Sequence, residues 1–470
     1  MDTRVERDPL GEVRVPEGAY YGAQTQRAVE NFPISGFRPP TPLVIATVLI
    51  KQACARANGA LGRLDAEVAD AIVKAADEIL TGELRDHFVV DIYQAGAGTS
   101  HNMNTNEVLA NRASEILGEP KGTYKKVHPN DHVNMGQSTN DVFPTATRLS
   151  ILIVLPYALE MGSRLATALQ KKSEEFAHVL KTGRTHLQDA VPITLGQEFS
   201  GYADNIGHAT AELARSADSL HELNLGATAV GTGLNAGDDF TKQSIENLAE
   251  ATKLRVMPAR NRFRVTQSMG DVLNYSGALR RLAVEVDKIA SDLRLLSSGP
   301  RAGLAEIQLP PVQPGSSIMP GKVNPSIPEM VNQVCHQVFG CDASILASAA
   351  AGQLELNVMM PVMAWNALQA TSILGNAMHV LSDRCVSGIT ADEARCRELL
   401  DRSTAVATAL SPYIGYAATA EIAKTAVKEG RSIADIVRER KLIPEDKLAQ
   451  ILSPEEMTSP GIPGSRTTAT

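Results

Sequence analysis

Gly315-Ser316-Ser317-Ile318-Met319-Pro320-Gly321-Lys322-Val323-Asn324-Pro325 sets two adjacent hydroxyls, a cation and an amide into one segment hinged by two glycines. Prolines stiffen its far end. A helix is expected to begin at Asn324 or Ser326, because Pro325 suits a first helical position and Glu329 brings a carboxylate to the first turn. Such a loop offers a lysine charge, hydroxyl donors and helix-end N–H groups to an anion. It is also built to close over a small carboxylate and exclude water. A phosphate loop is excluded on spacing. That motif has four residues between its first glycine and Gly-Lys, followed by Ser or Thr; here five intervene, and Val323 follows the lysine. Composition alone would also suit an inert surface loop.

Around this segment the 470-residue chain is long enough for two or three domains with a large buried core. Aromatic residues make up only 4% of it, so the core must be aliphatic, and its Ala- and Leu-rich stretches favour helix. The net charge of −8, with acids and bases interspersed, argues against nucleic acid as a main partner. The first residues, Met1 to Asp8, lack a signal-peptide core, and no uninterrupted apolar run is read as approaching membrane-spanning length. Five cysteines (Cys54, Cys335, Cys341, Cys385, Cys396) form no Cys-x-x-Cys pair; they are read as buried free thiols in a reducing cytoplasm.

Proline is frequent in the first 145 residues and again from Pro300 to Pro328, but only Pro258 occurs between Pro192 and Pro300. The thinning coincides with long helical patterns. One is expected from about Pro144 to Leu180. A second runs from Val272 to Leu296, with Leu279, Leu282, Ile289, Leu293 and Leu296 at mostly three- and four-residue spacing. A third runs from about Glu329 past Ala351. Helices of this length bury a stripe economically only against one another, so a bundle is the expected architecture. The last residues, Ser459 to Thr470, are expected to form a loose tail.

Three more segments gather hydrogen-bond donors. Gly96-Ala97-Gly98-Thr99 lets backbone approach a ligand and adds a hydroxyl. Gln137-Ser138-Thr139-Asn140-Asp141 places two hydroxyls and an amide just before the helix that Pro144 is expected to open. Gly183-Arg184-Thr185-His186-Leu187-Gln188 adds a third polar cluster. Each has an ordinary reading on its own: an N-cap for Ser138–Asp141, a hydrogen-bonded histidine for His186, a turn before Thr99. Removing a proton beside a carboxylate puts a second charge on an anion. Such chemistry needs a base at the carbon and several donors at the oxygens, which these segments together contain.

The Gly315–Pro325 segment, with these three, resembles the signatures of the aspartase/fumarase superfamily, lyases that release fumarate by elimination. The resemblance runs from about Arg4 to Gly464. It implies a mainly α, three-domain lyase fold, with boundaries near residues 136 and 395 (1–136, 137–395 and 396–470). It also implies a central five-helix bundle that four subunits pool into a twenty-helix core. Carried over by position, Ser316 is the general base, acting as an oxyanion that loop N–H groups and Lys322 stabilise. Lys322 and Asn324 hold the carboxylate beside the leaving group. Thr99, Ser138, Thr139 and Ser317 gather the other carboxylate. Asn140, Thr185 and His186 face the leaving group, and Glu329 pairs with His186. Three subunits contribute to each site, so a monomer should be inactive.

Some positions separate the members. Ala97 and Thr139 stand where fumarases usually carry serine, and resemble aspartate ammonia-lyases. So do Asn224-Leu225-Gly226-Ala227-Thr228, Gly299–Leu304 and Ala351–Val358. Gly22–Arg27 is fumarase-like, and His128 before Pro129-Asn130-Asp131 resembles the secondary anion site of fumarases. The resemblance therefore implies L-aspartate, fumarate and ammonium as ligands, with L-malate and water as the alternative. No metal-ligand spacing is present, and Gly231–Gly237 misplaces the third glycine of a dinucleotide fingerprint. No cofactor is expected.

Overall fold

The computed structural model describes residues 2–465. The chain opens with an antiparallel hairpin, β1 (Thr3–Asp8) and β2 (Gly11–Pro16), and is then mainly helical, as expected. The first helices are α1 (Ala23–Asn31), α2 (Thr41–Ala60), α3 (Ala66–Thr81), α4 (Thr99–Ile116) and α5 (Thr139–Glu175). A second hairpin, β3 (Leu180–Thr185) and β4 (Gln188–Thr194), leads to α6 (Leu195–Ser216), α7 (Asp238–Thr252), α8 (Arg262–Gln267) and α9 (Gly270–Leu296). Then come α10 (Ser326–Ala350), α11 (Met360–Arg384), α12 (Glu393–Arg402), α13 (Ser411–Ile414), α14 (Tyr416–Glu429), α15 (Ile433–Glu439) and α16 (Glu445–Ile451).

The chain divides into two compact units, and five long helices (α5, α6, α9, α10, α11) contribute residues to both. The first unit comprises the residues up to Glu160, Thr210–Ala283 and Cys335–Gly375. Within it the long helices interlock. The Tyr275 hydroxyl of α9 lies 2.8 Å from Thr371 of α11, and Ser276 donates to Asp342 of α10 at 2.6 Å. Arg281 of α9 pairs with Glu212 of α6. A Cβ at Gly375 of α11 would lie 3.0 Å from the Tyr157 ring of α5, so a small residue sets that approach. Beside them, α2, α3 and α4 enclose an aliphatic cluster including Val48, Ala69, Ile72, Ile79, Val108 and Leu109. Burial of each large side chain contributes about 1.5–3 kcal/mol.

The second unit comprises Met161–Ala209, Val284–Val334 and the residues from Asn376 onward. Here α12 packs on β3, with Leu180, Leu400 and Ala405 buried together. A separate cluster of Ile422, Ile433, Ile436, Leu448 and Ile451 holds α14, α15 and α16.

Several expectations need correction. The long helix expected to open at Pro144 begins at Thr139 and carries Pro144 and Pro156 inside it. Proline lacks an N–H and so leaves the carbonyl four residues earlier without its helical donor. For Pro144 that carbonyl belongs to Asn140, and the Asn224 side chain donates to it at 3.1 Å. Helix α10 starts at Ser326 and ends at Ala350, short of the expected reach past Ala351. One helix, Thr139–Glu175, is long and apolar enough to cross a membrane, contrary to the sequence reading, yet 72% of its apolar window is buried inside the protein. Its interspersed Thr, Ser and Pro disguise the run. Residues 459–465 are no loose tail: Tyr413 donates to the Pro463 carbonyl at 2.6 Å, and Gly464 bonds to Glu456 and Lys447. Residues 466–470 lie outside the described chain. All five cysteines are buried and outside any disulfide, as expected.

Candidate active site

Thr99 is exposed at the first position of α4, while the residues behind it are buried. Gly98, just before it, has φ +82°, and a Cβ there would lie 2.0 Å from the Phe143 ring of α5. Only glycine allows the two helix starts to come this close. Ala97 also takes a left-handed conformation, φ +59°, and its N–H donates to the Val358 carbonyl at 2.8 Å. One turn into α4, buried Asn102 donates to the Thr139 hydroxyl at 3.1 Å and to Asn134 Oδ1 at 3.3 Å. The start of α4, with Thr99, and the start of α5, with Thr139, are thereby joined.

The start of α5 is capped twice. Ser138 Oγ accepts from the Asn140 N–H at 3.2 Å, and Asp141 Oδ1 accepts from the Ser138 N–H at 3.0 Å, a reciprocal cap. Asn140 Nδ2 donates to the Ala229 carbonyl at 2.9 Å, so its amide oxygen is the end left for a ligand. Beneath lies Lys51, fully buried, donating to Asn134 Oδ1 and Gln137 Oε1 at 2.8 Å each. Burial pulls its pKa down to about 7, and burial pushes Asp141 up to about 7 against the N–H groups it accepts from and the Lys51 charge. Hydroxyls, helix N-termini and a lysine here favour an anion. His128 caps the short helical turn Pro129–Val133 between α4 and α5. Its Nδ1 accepts from the N–H groups of Asn130 and Asp131 at 3.2 Å.

The remaining candidates belong to the second unit. Thr185 and His186 sit exposed at the tip of the β3–β4 hairpin, where His186 (φ +56°) and Leu187 (φ +59°) are both left-handed. This is the geometry of a two-residue primed turn, unusual without Gly or Asn, and such strain is affordable only where neighbours enforce it. The hairpin is anchored by fully buried Glu306, which accepts from Arg184 at 2.9 and 3.1 Å and pairs with Lys181 at 2.9 Å. Lys181 also pairs with Glu198 at 2.6 Å.

The Ser316 loop closes on itself. The Gly315 N–H donates to the Lys322 carbonyl at 2.8 Å, and Asn324 Nδ2 donates to the Gly315 carbonyl at 2.8 Å. Inside this neck, Ser316 Oγ accepts from the N–H groups of Ile318 at 3.2 Å and Met319 at 3.1 Å. Two backbone donors on one hydroxyl oxygen would stabilise its deprotonated form. Ser317 and the Lys322 side chain are exposed, and among the described residues Lys322 Nζ has no polar partner. Glu329 lies in the first turn of α10. Among the described residues it forms no ion pair with His186, so the expected pairing is not made within one chain.

Sequence reading missed the buried frame. Lys51 carried a signal, as the one charge in the largely apolar run Leu43–Ala55. Asn102, Asn134 and Glu306 carried none that separates them from ordinary polar residues, and Asn224 was marked only by its place in a segment resembling aspartate ammonia-lyases.

The chain is similar to known proteins along its length. A family profile described as lyase matches residues 11–340, and one described as fumarase C C-terminus matches residues 406–459. The chain is 48% identical over 465 residues to an aspartate ammonia-lyase of Bacillus sp, covering 99% of each chain. It is 50% identical over 463 residues to a class II fumarate hydratase of Halobacterium salinarum, covering 98% of each. Among solved structures, a fumarate lyase:delta crystallin from Brucella melitensis bound to cobalt superposes with a TM-score of 0.94 at 48% identity, covering 98% of this chain and 100% of that one.

Proposed function

Since the chain belongs to the aspartase/fumarase superfamily of lyases, we propose that it is an aspartate ammonia-lyase, converting L-aspartate reversibly to fumarate and ammonium. The observation that carries this reading is the Ser316 hydroxyl, held by two backbone N–H groups in a loop that also presents Lys322 and Asn324. As an oxyanion, Ser316 removes the proton from C3 of aspartate. Charge then grows on the adjacent carboxylate, and Thr99, Ser138, Thr139 and Ser317 receive this aci-carboxylate. Lys322 and Asn324 hold the second carboxylate. The C2–N bond breaks as the C2–C3 double bond forms, and the amine departs past Asn140, Thr185 and His186. The free amide oxygen of Asn140 suits an ammonium leaving group. Glu329 orients His186.

Exposure of Thr99, Thr185, His186, Ser317 and Lys322 on a single chain supports sites completed by other copies in a homotetramer with a shared helical core. Domain boundaries near residues 136 and 395 belong to the same reading. Five buried cysteines, none of them in a disulfide, support a reducing, cytoplasmic setting. The second reading is a class II fumarase acting on L-malate, favoured by His128, by Gly22–Arg27 and by the 50% identity to a fumarate hydratase.

The test is ultraviolet absorbance of released fumarate, with L-aspartate and L-malate given in parallel. Release from aspartate alone is expected. Release from malate alone would transfer the assignment to the fumarase.

A further inference from the structure

Asp141 is a fully buried carboxylate placed where a carboxylate ligand is expected to bind. Such a group is expensive for stability and adverse for an anion, so its presence calls for a reason. Its two oxygens serve two distant pieces of chain. Oδ1 takes the Ser138 N–H at the start of α5, and Oδ2 takes the N–H groups of Gly226 at 3.0 Å and Thr228 at 2.9 Å. The loop is bent to deliver both donors. Gly226 has φ +82°, and a Cβ there would lie 2.0 Å from Thr241 Oγ1; Thr228, a β-branched residue, has φ +57°. That bend also brings the Ala229 carbonyl to Asn140 Nδ2.

Asn224, at the near end of the same loop, repeats the pattern. Its Nδ2 fills the vacancy that Pro144 leaves on the Asn140 carbonyl, and its Oδ1 accepts from Thr145 at 3.2 Å and Arg148 at 3.3 Å. Arg148, fully buried, is fastened in turn to Asp271 of α9 at 2.6 Å.

We propose that Asp141 and Asn224 form a clasp that welds the Asn224–Ala229 loop to the start of α5, and that the clasp positions Ser138, Thr139 and Asn140 for the substrate. Both are positioning residues acting through the groups they hold. The inference rests on the reading of Ser138–Asn140 as ligand-binding. It accounts for three local irregularities together: a proline inside a helix, a left-handed threonine and a buried carboxylate near an anion site.

The test is steady-state kinetics of the full-length protein on whichever of L-aspartate and L-malate the wild type turns over. Asp141→Asn is placed in three backgrounds: wild type, Thr139→Ala and Thr99→Ala. Thr99 donates to the same carboxylate but stands on α4, outside the clasp. The expected result is a loss in kcat/KM of roughly tenfold or more in the wild-type and Thr99→Ala backgrounds, shrinking to a few-fold with Thr139→Ala. Asp141→Glu should recover part of the loss. Equal losses in all three backgrounds, or none, would overturn the clasp, because general destabilisation does not depend on which hydroxyl is missing. Should Asp141→Asn fail to fold, Asn224→Ser cuts the neighbouring tie and runs through the same backgrounds. If wild type is active on neither substrate the lyase reading falls, and the same comparisons are read as succinate affinity. Wild type that binds no succinate, or affinities that fall equally in every background, would overturn the clasp separately.

Discussion

The α4–α5 clamp and the Ser316 loop are built on opposite principles. At the clamp, Thr99 is exposed and Ser138, Thr139 and Asn140 are half-buried, but all rest on fully or nearly fully buried polar groups: Lys51, Asn102, Asp141 and Asn224. Apart from the local Ser138–Asp141 cap, the links named in that frame join residues far apart in the chain. Among the described residues the loop's hydrogen bonds are all local. Its neck is closed by Gly315, Lys322 and Asn324, its serine is held by residues two and three positions on, and Ile318 is 83% exposed at its tip. A group that must bind a growing charge gains from a frame that does not reorganise. A group that must reach the substrate and withdraw gains from independence of the core. On the proposed function, the two tasks fall to separate segments of the chain.

The most severe challenge to that contrast is Ser316→Ala. Turnover should fall on the order of 10³-fold or more, as expected for loss of the base. Stability should stay within about 0.5 kcal/mol, because the hydroxyl touches only its own loop. A clear drop in the urea midpoint would show that the loop is part of the core after all.

One substitution made at two glycines sharpens the comparison. Gly98→Ala forces a left-handed residue and a Cβ 2.0 Å from Phe143, and should cost about 2–5 kcal/mol of unfolding free energy. Gly315→Ala puts a Cβ 2.3 Å from the Lys322 carbonyl and should spread the neck of the loop. It should lower kcat/KM by roughly tenfold yet change stability by less than about 1 kcal/mol. Urea denaturation and fumarate release on both variants decide the matter; matching profiles would erase the distinction.

The same division explains what could be read from the amino-acid sequence. The loop is local, so its glycines, hydroxyls and helix start were visible in eleven consecutive letters, and α10 begins at Ser326, one of the two expected positions. The long helices were visible through spacing such as Leu279, Leu282, Ile289 and Leu293. The start of α5 was misplaced because Pro144 looks like a first-turn residue, and only the tertiary donor Asn224 makes it tolerable five residues further in. Asp141, within Gln137–Asp141, has the look of an ordinary acid at a helix N-terminus. Nothing local reveals that its second oxygen serves Gly226 and Thr228. Glu306 was silent for the same reason: its partners Lys181 and Arg184 lie more than a hundred residues away.

The smallest expected effect concerns acid. Asp91, on the segment leading into α4, is buried and accepts from the N–H groups of Ser35, Gly36 and Tyr93 and from the Ser35 hydroxyl, at 2.7–2.9 Å. Burial pushes its pKa up, but those donors outweigh it and hold the carboxyl below its ordinary value. A folded-state pKa below the unfolded one stabilises the fold above about pH 3.9, and that contribution is lost as pH falls through the folded-state value. Asp91→Asn should therefore cost about 1 kcal/mol near neutrality. Its urea midpoint should converge on that of the wild type as pH is lowered from 5 to 3. The Ser316 loop, which contains no carboxylate between Gly315 and Pro325, has no comparable acid dependence of its own. A gap between wild type and Asp91→Asn that stays constant over this range would mean that Asp91 titrates alike in both states, and that the clamp side is no more acid-sensitive than the loop.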